Sequence, residues 1–257
     1  MTGDLAAAEV AQALGSRPVR SYPALLSTET AATAWARTGA RAGSVVVADY
    51  QASPRGRGGL PWTVVAGRGL GFSLVLRPDL SPLREGWPYV AATLAVAEVL
   101  GEHTGVEWPD TVVALDGQGP LAQLGVYVEL DPDRTEWVSL TVLVMEATPP
   151  RAPLLGQLLT SLEQRLADEA DTVLEHYRPR CVTLSRDVRA RMIPMGPGGP
   201  EVNGEAVDVI ADGSLVVLTA RGSRVAVPPQ NLGLLEAPET PLQLPPEIAR
   251  RLEDRRP

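Results

Sequence analysis

The stretch of this 257-residue chain with the richest chemistry is Asp49-Tyr50-Gln51-Ala52-Ser53-Pro54-Arg55-Gly56-Arg57-Gly58-Gly59, followed by Trp62. Alternating glycine and arginine lets backbone N–H groups and guanidinium forks converge on one anion. The same residues also allow a solvated loop with no ligand. Pro54 fixes φ and removes an N–H, so the loop should be stiff. Other polar groups carry weaker signals. Glu107 and Asp110 form a carboxylate pair of the kind that binds a divalent cation or works as acid and base, against the plainer reading of a solvated strand edge. His103 and His176 have no third partner in register and read as surface residues. Cys181 falls where the character of the chain changes and reads as a buried structural thiol rather than an acyl-transfer nucleophile. Gly67-Arg68-Gly69-Leu70-Gly71 looks like a phosphate loop but lacks a following helix, so it reads as a turn into a strand.

The elements that must hold the loop follow from periodicity. Residues 4–14 read as a short helix, 19–26 as a strand, and Ser27-Thr28-Glu29 as a capped helix start. Apolar runs at 45–48 and 70–76 read as buried strands on either side of the Gly/Arg loop. Residues 88–102 carry helical spacing that stops at Gly101. Three β-rich stretches follow at 111–115, 124–130 and 137–145, then a helix over 154–174 broken near Asp168. Trp35, Trp87 and Trp137 sit among apolar residues and read as core. From residue 190 to 235, five short strand-like pieces are separated by Gly, Asn, Asp and Pro, the pattern of a small β-barrel. The expected organisation is an arm at 1–18, a main domain at 19–182, a barrel at 183–236, and a Pro-rich tail with a terminal helix at 237–257.

Composition narrows the functional classes. The net charge is −8, so no global basic field exists to hold nucleic acid or an anionic membrane. No apolar run approaches the ~20 residues that span a bilayer, and the first residues lack the pattern of a signal peptide. A single cysteine permits no internal disulfide and fits a cytoplasmic location. All 23 basic residues are arginine, so a lost functional lysine should survive as arginine wherever its charge still matters.

The spacing Y-Q-x-x-x-R-G-R-x-G-x-x-W, continuing to Gly67 and Ser73, resembles the biotinyl-adenylate loop of biotin–protein ligases. Ser27-Thr28 match the start of that family's S-T-N motif, Glu107-Trp108-Pro109-Asp110 stands where it has K-W-P-N-D, and Leu124 to Leu130 stands where it has A-G-I-L-x-E. The resemblance spans residues 20–235. It implies an α+β fold, with a central mixed sheet flanked by helices and then a small C-terminal β-barrel. It implies a biotin and adenylate site at Ser27, Thr28, Gln51, Arg55, Gly56, Arg57, Trp62 and Gly125. It also implies a reaction, ATP-dependent attachment of biotin to a carrier-domain lysine, and partners: a carboxylase's biotin carrier domain, an active ligase, or a second copy in a homodimer. The first 18 residues are too few for the family's optional DNA-binding helix-turn-helix.

The chain departs from the motif where charge matters most. The family's two lysines fall on Glu107 and Ala122, the asparagine of S-T-N on Glu29, and the glycine before the first arginine on Pro54. Each lost charge-assisted hydrogen bond is worth ~1.5–3 kcal/mol. A carboxylate ~6 Å from a phosphate costs roughly 3 kcal/mol at an effective dielectric of about 20. Together these reach about 6–9 kcal/mol, or four to six orders of magnitude in rate. Arg68, Arg77 and Arg84 are the arginines placed to compensate. The family's G-x-G-x-N is Thr141-Val142-Leu143-Val144-Met145 here, and residues 147–153 replace a longer adenine-covering loop. The expectation is a biotin- or carrier-binding pseudo-ligase, with ATP use doubtful and no metal. The alternative is a working biotin or other acyl ligase with relocated residues.

Overall fold

Seven strands build the first sheet: β1 (Val19–Leu25), β2 (Val45–Gln51), β3 (Leu70–Leu76), β4 (Thr104–Glu107), β5 (Thr111–Ala114), β6 (Pro120–Leu130) and β7 (Thr135–Val144). Their order is β1-β2-β3-β7-β6-β5-β4; β1 and β2 run parallel and every other pair is antiparallel. The sheet is therefore mixed, as the sequence predicts. The structure, a computed structural model, describes residues 3–62, 65, 67–195 and 198–238, so the tail and terminal helix read beyond residue 238 lie outside the described residues.

The two faces of the sheet are covered differently. Helix α3 (Trp87–Leu100) is apolar around its circumference and buried from Trp87 to Ala97, as a helix packed on all sides must be. It packs on β4, β5 and β6 and against α4 (Arg151–Ala167) and α5 (Ala170–Tyr177). Helix α1 (Ala7–Leu14) packs on β1 and α4. On the opposite face, α2 (Thr28–Arg37) lies over β2, β3 and β7, burying Ala32 and Ala36 against Val46, Val75 and Trp137. That second face also carries the Gly/Arg loop.

Several sequence readings are corrected. The strand at Thr104–Glu107 escaped the reading because Gly105 interrupts its apolar pattern; a Cβ there would sit 2.6 Å from Val182 Cγ1. Residues 151–153, read as loop, form the first turn of α4, where a proline lacks no needed N–H. Trp35 is only half-buried, with the Arg20 guanidinium stacked 4.0 Å from its ring centre. The break near Asp168 is present, since Asp168 is extended between α4 and α5.

The five C-terminal pieces form one antiparallel sheet, ordered β11-β10-β9-β8-β12, from β8 (Asp187–Met192), β9 (Glu201–Val209), β10 (Leu215–Leu218), β11 (Arg224–Val227) and β12 (Leu232–Glu236). Trp108 joins the two sheets. Its indole is buried, with Nε1 donating to the Gly213 carbonyl at 2.9 Å, while its backbone N–H donates to Thr183 Oγ1 at 2.9 Å. Cys181 is buried at the same junction, bridged to Val106, and burial pushes its thiol up, away from the reactive thiolate. Among the described residues no helix is long and apolar enough to cross a membrane.

An ion pair joins the N-terminal arm to the start of α4. Asp4 accepts from Arg151 Nε at 3.0 Å and from the Arg151 backbone N–H at 2.7 Å. This contact holds the Asp4 carboxyl below the usual carboxylate range. A depressed folded-state value contributes stability that is in place above the unfolded pKa of about 3.9 and disappears as pH falls through the folded value. Asp4→Asn should therefore lower the urea midpoint at about pH 7, and the difference from wild type should shrink as pH falls below about 3.9. Trp108→Phe strands a buried carbonyl and should cost about 1–3 kcal/mol in the same titration.

Candidate functional site

The loop leaves β2 at Gln51 and returns to β3 at Leu70. Over residues 54–62 the chain folds into a compact turn. Arg55 and Pro61 form a β-bridge, Gly56 N–H donates to the Leu60 carbonyl at 2.9 Å, and Trp62 N–H donates to the Pro54 carbonyl at 3.2 Å. Gly58 and Gly59 have φ of +61° and +74°, values that only glycine adopts without cost. Gly56 is required for space: a Cβ would lie 2.1 Å from the Trp62 indole. The loop rests directly on the sheet, since a Cβ on Gly125 of β6 would lie 2.8 Å from the Gly56 carbonyl carbon. The loop is a hydrogen-bonded turn seated on β6 rather than a chain free in solvent.

Its two arginines are already engaged. Arg57 Nε donates to Asp110 Oδ2 at 2.8 Å and its Nη1 donates to the Leu232 carbonyl at the start of β12. Thr111 Oγ1 adds a hydrogen bond to Asp110 Oδ1 at 3.2 Å. Burial pushes the Asp110 carboxyl up, and the Arg57 guanidinium opposes that rise. Arg55 Nη1 donates to the Gly59 carbonyl at 3.1 Å. Burial also pushes the Glu29 carboxyl up, with the positive charge of Arg55 opposing that rise.

Glu107 and Asp110 are thus not a working pair. Glu107 is exposed at the end of β4, where water screens it, and the acid that faces the loop is Asp110. Asp110 is not at a solvated edge either; Arg57 and the second sheet cover it. Ala122 alternates with Gly125 and faces the main apolar core, so a longer side chain at that position starts from the far face of β6. Arg68 pairs with Glu146, Arg77 donates to the carbonyls of Ala40 and Ala36, and Arg84 donates to that of Ala211 and stacks on Trp87. His103 and His176 are exposed, and no group of three metal-ligating side chains occurs among the described residues.

Ser27 and Gln51 divide the capping differently from the sequence expectation. Ser27 stands at the N-cap of α2, but its hydroxyl makes no cap bond. Gln51 Oε1 caps the helix instead, accepting from Thr28 N–H at 2.7 Å and from Thr28 Oγ1 at 3.1 Å. Ser27 Oγ is left buried with no hydrogen-bond partner among the described residues. A chain of hydroxyls continues inward. Ser73 Oγ donates to Thr28 Oγ1 at 3.0 Å, and Ser73 has one proton, so Thr141 Oγ1 must donate to Ser73 at 2.7 Å. Leu143, one pleat further along β7, closes the neighbouring space: a Cβ on Gly71 would meet its Cδ2 at 2.5 Å and Gln51 Nε2 at 2.1 Å. Leu143 is fully buried, so no space the size of a water molecule touches it.

The structure therefore gathers Ser27, Thr28 and Gln51 at one end, and Arg55, Gly56, Arg57 and Trp62 over Gly125 at the other. Sequence reasoning missed Ser73 and Thr141 as partners of Thr28. Only the pairing of β3 with β7 reveals them, because single hydroxyls inside apolar strands give no local signal. The sequence places Asp110 in a motif but gives no sign that it is the counter-ion of Arg57, 53 positions away.

No family profile matches the chain. It is 31% identical over 200 residues to the biotin–[acetyl-CoA-carboxylase] ligase of Mycobacterium tuberculosis (strain ATCC 25618 / H37Rv), covering 67% of this chain and 72% of that protein. It is 28% identical over 162 residues to the bifunctional ligase/repressor BirA of Bacillus subtilis (strain 168), covering 60% of this chain and only 50% of that protein. The fold matches the biotin protein ligase of Aquifex aeolicus, solved in complex with biotin and ATP, with a TM-score of 0.62 at 18% identity, over 86% of this chain and 99% of that one. With the extent of the first of these matches, and the loop, strands and order of motifs in place, the chain belongs to the biotin–protein ligase family.

Proposed function

We propose that this chain binds biotin, together with a biotin carrier domain or an active ligase, and does not itself carry out ATP-dependent ligation. The observation that carries the biotin half is Ser27 Oγ, a buried donor with no partner beside the Thr28–Gln51 pair. A buried hydroxyl left unpaired costs about 1–3 kcal/mol, and a ligand oxygen placed there recovers it. Biotin's cyclic urea fits that chemistry: Ser27 would donate to the ureido oxygen, while Thr28 Oγ1, which keeps one free lone pair, would accept from one of its N–H groups. The Gly/Arg loop, seated on Gly125, would enclose the ring.

The nucleotide half fits poorly. Activating biotin with ATP builds negative charge on phosphate, and stabilising that charge is the main catalytic task. Arg57 is paired with Asp110 and the Leu232 carbonyl, and Arg55 donates to the Gly59 carbonyl. A phosphate must compete with these internal acceptors for each guanidinium. Thr141 and Leu143 occupy the strand positions where a nucleotide needs glycine, and Leu143 closes on Gly71. Arg68, Arg77 and Arg84 are held by other partners, which disfavours the reading of a working ligase with relocated cations. Such a protein, with its one buried cysteine, suits a cytoplasmic role.

Two measurements follow. Ser27→Ala removes an unsatisfied donor, so it should leave stability unchanged or raise it by up to about 1 kcal/mol, while weakening biotin binding about tenfold by calorimetry. Unchanged affinity would contradict the assignment. Incubation with ATP, biotin and a biotin carrier domain should give no biotin-dependent pyrophosphate. Release that Arg55→Ala abolishes would establish an active ligase instead.

A further inference from the structure

Arg151 is the one charged side chain among the described residues that is almost wholly buried, at 3% exposure. It opens α4, yet its guanidinium serves the Gly/Arg loop. Nη2 donates to Asp49 Oδ1 at 2.5 Å, and Nη1 donates to the Gly69 carbonyl at 2.9 Å. The β2–β3 ladder ends at the Ala48–Gly71 pair, so Asp49 and Gly69 lie just beyond it, at the two ends of the loop's stem. One planar fork thus fastens both ends. A lysine offers a single point of charge and cannot span them.

Asp4 holds the fork from its other side, accepting from Nε and Nη2 as well as from the Arg151 backbone N–H. The arm that carries Asp4 is itself fixed: Leu5 and Val10 are buried in the main core, and Ser21 Oγ donates to the Leu5 carbonyl at 2.6 Å. Asp49 is two residues from Gln51, which caps α2 beside Ser27. A line of contacts therefore runs from the arm through Arg151 to the stem, and from the stem to the polar end of the site.

We propose that Arg151 and Asp4 are positioning residues for the Gly/Arg loop: the arm sets the guanidinium, the guanidinium sets the stem, and the stem sets how tightly the loop encloses a ligand. Neither residue touches the ligand. The inference rests on the reading that the loop closes over biotin at Ser27, Thr28 and Gln51. A stem fixed at both ends leaves less chain entropy to be lost on closure, so unfastening it should weaken binding without altering any contact.

The test compares wild type with Arg151→Lys, Asp4→Ala and the double variant by hydrogen exchange and by calorimetry with biotin. Asp4 is partly exposed, so Asp4→Ala provides a folded variant even where Arg151→Lys does not. Amides of residues 52–62 should exchange about tenfold faster, with those of β9 and β10 unchanged, and biotin should bind about tenfold more weakly. The double variant should match Arg151→Lys alone, because both changes cut one chain of contacts. Asp4→Asn, which keeps an acceptor oxygen, should restore part of the loss seen with Asp4→Ala. Unchanged loop exchange, a uniform increase across the second sheet, or equal biotin affinity in all proteins would each overturn the proposal. Faster loop exchange in proteins that never bind biotin would leave the positioning role standing and count against the biotin reading.

Discussion

Arginine in this protein finds its counter-ions inside the fold, and the character of the site follows from that. Arg57 has Asp110, Arg151 has Asp4 and Asp49, and Arg55 is turned back onto the Gly59 carbonyl of its own loop. A guanidinium on a Gly/Arg loop is a ready receptor for phosphate only while it lacks a partner. Once a carboxylate is held at 2.8 Å, as Asp110 is, a ligand must displace a charge-assisted hydrogen bond before it gains one. The loop packs on Gly125 as part of the structure.

The sheet explains why the polar end of the site takes a different course. Strands β3 and β7 pair Ser73 with Thr141 on the face that α2 covers. Their hydroxyls join Thr28 and Gln51 in one relay, each proton pointing towards the Gln51 carbonyl oxygen. Such a network fixes rotamers and leaves Ser27 as the donor not consumed. The same face, further along β7, presents Leu143 instead of a small residue and is closed. One strand thus separates a hydroxyl-lined end from an apolar end that Leu143 fills.

Much of this was legible in the sequence, for definable reasons. Strands such as Leu70–Leu76 and the all-apolar helix Trp87–Leu100 declare themselves through local periodicity, and the five C-terminal strands through regular turn residues. The Gly/Arg loop was legible because its glycines are required by sterics at Gly56 and by backbone conformation at Gly58 and Gly59. What was not legible depends on contacts between distant residues. Gln51 caps a helix that starts 23 positions earlier, and Asp4 meets Arg151 across 147 positions. No window on the chain contains both partners. The acid at Glu107 drew attention for its place in a motif, yet solvent screens it, while Asp110, three residues on, holds the loop.

The account stands or falls on whether the nucleotide half of the site adds anything to the biotin half. Calorimetric titration of the whole chain with biotin, and in parallel with a non-hydrolysable biotinyl-adenylate analogue, measures that difference directly. The account predicts that the adenylate analogue binds no more tightly than biotin, because its phosphate must compete with Asp110 and its base meets Leu143. An analogue bound a hundredfold or more tighter than biotin, about 2.7 kcal/mol, would contradict it.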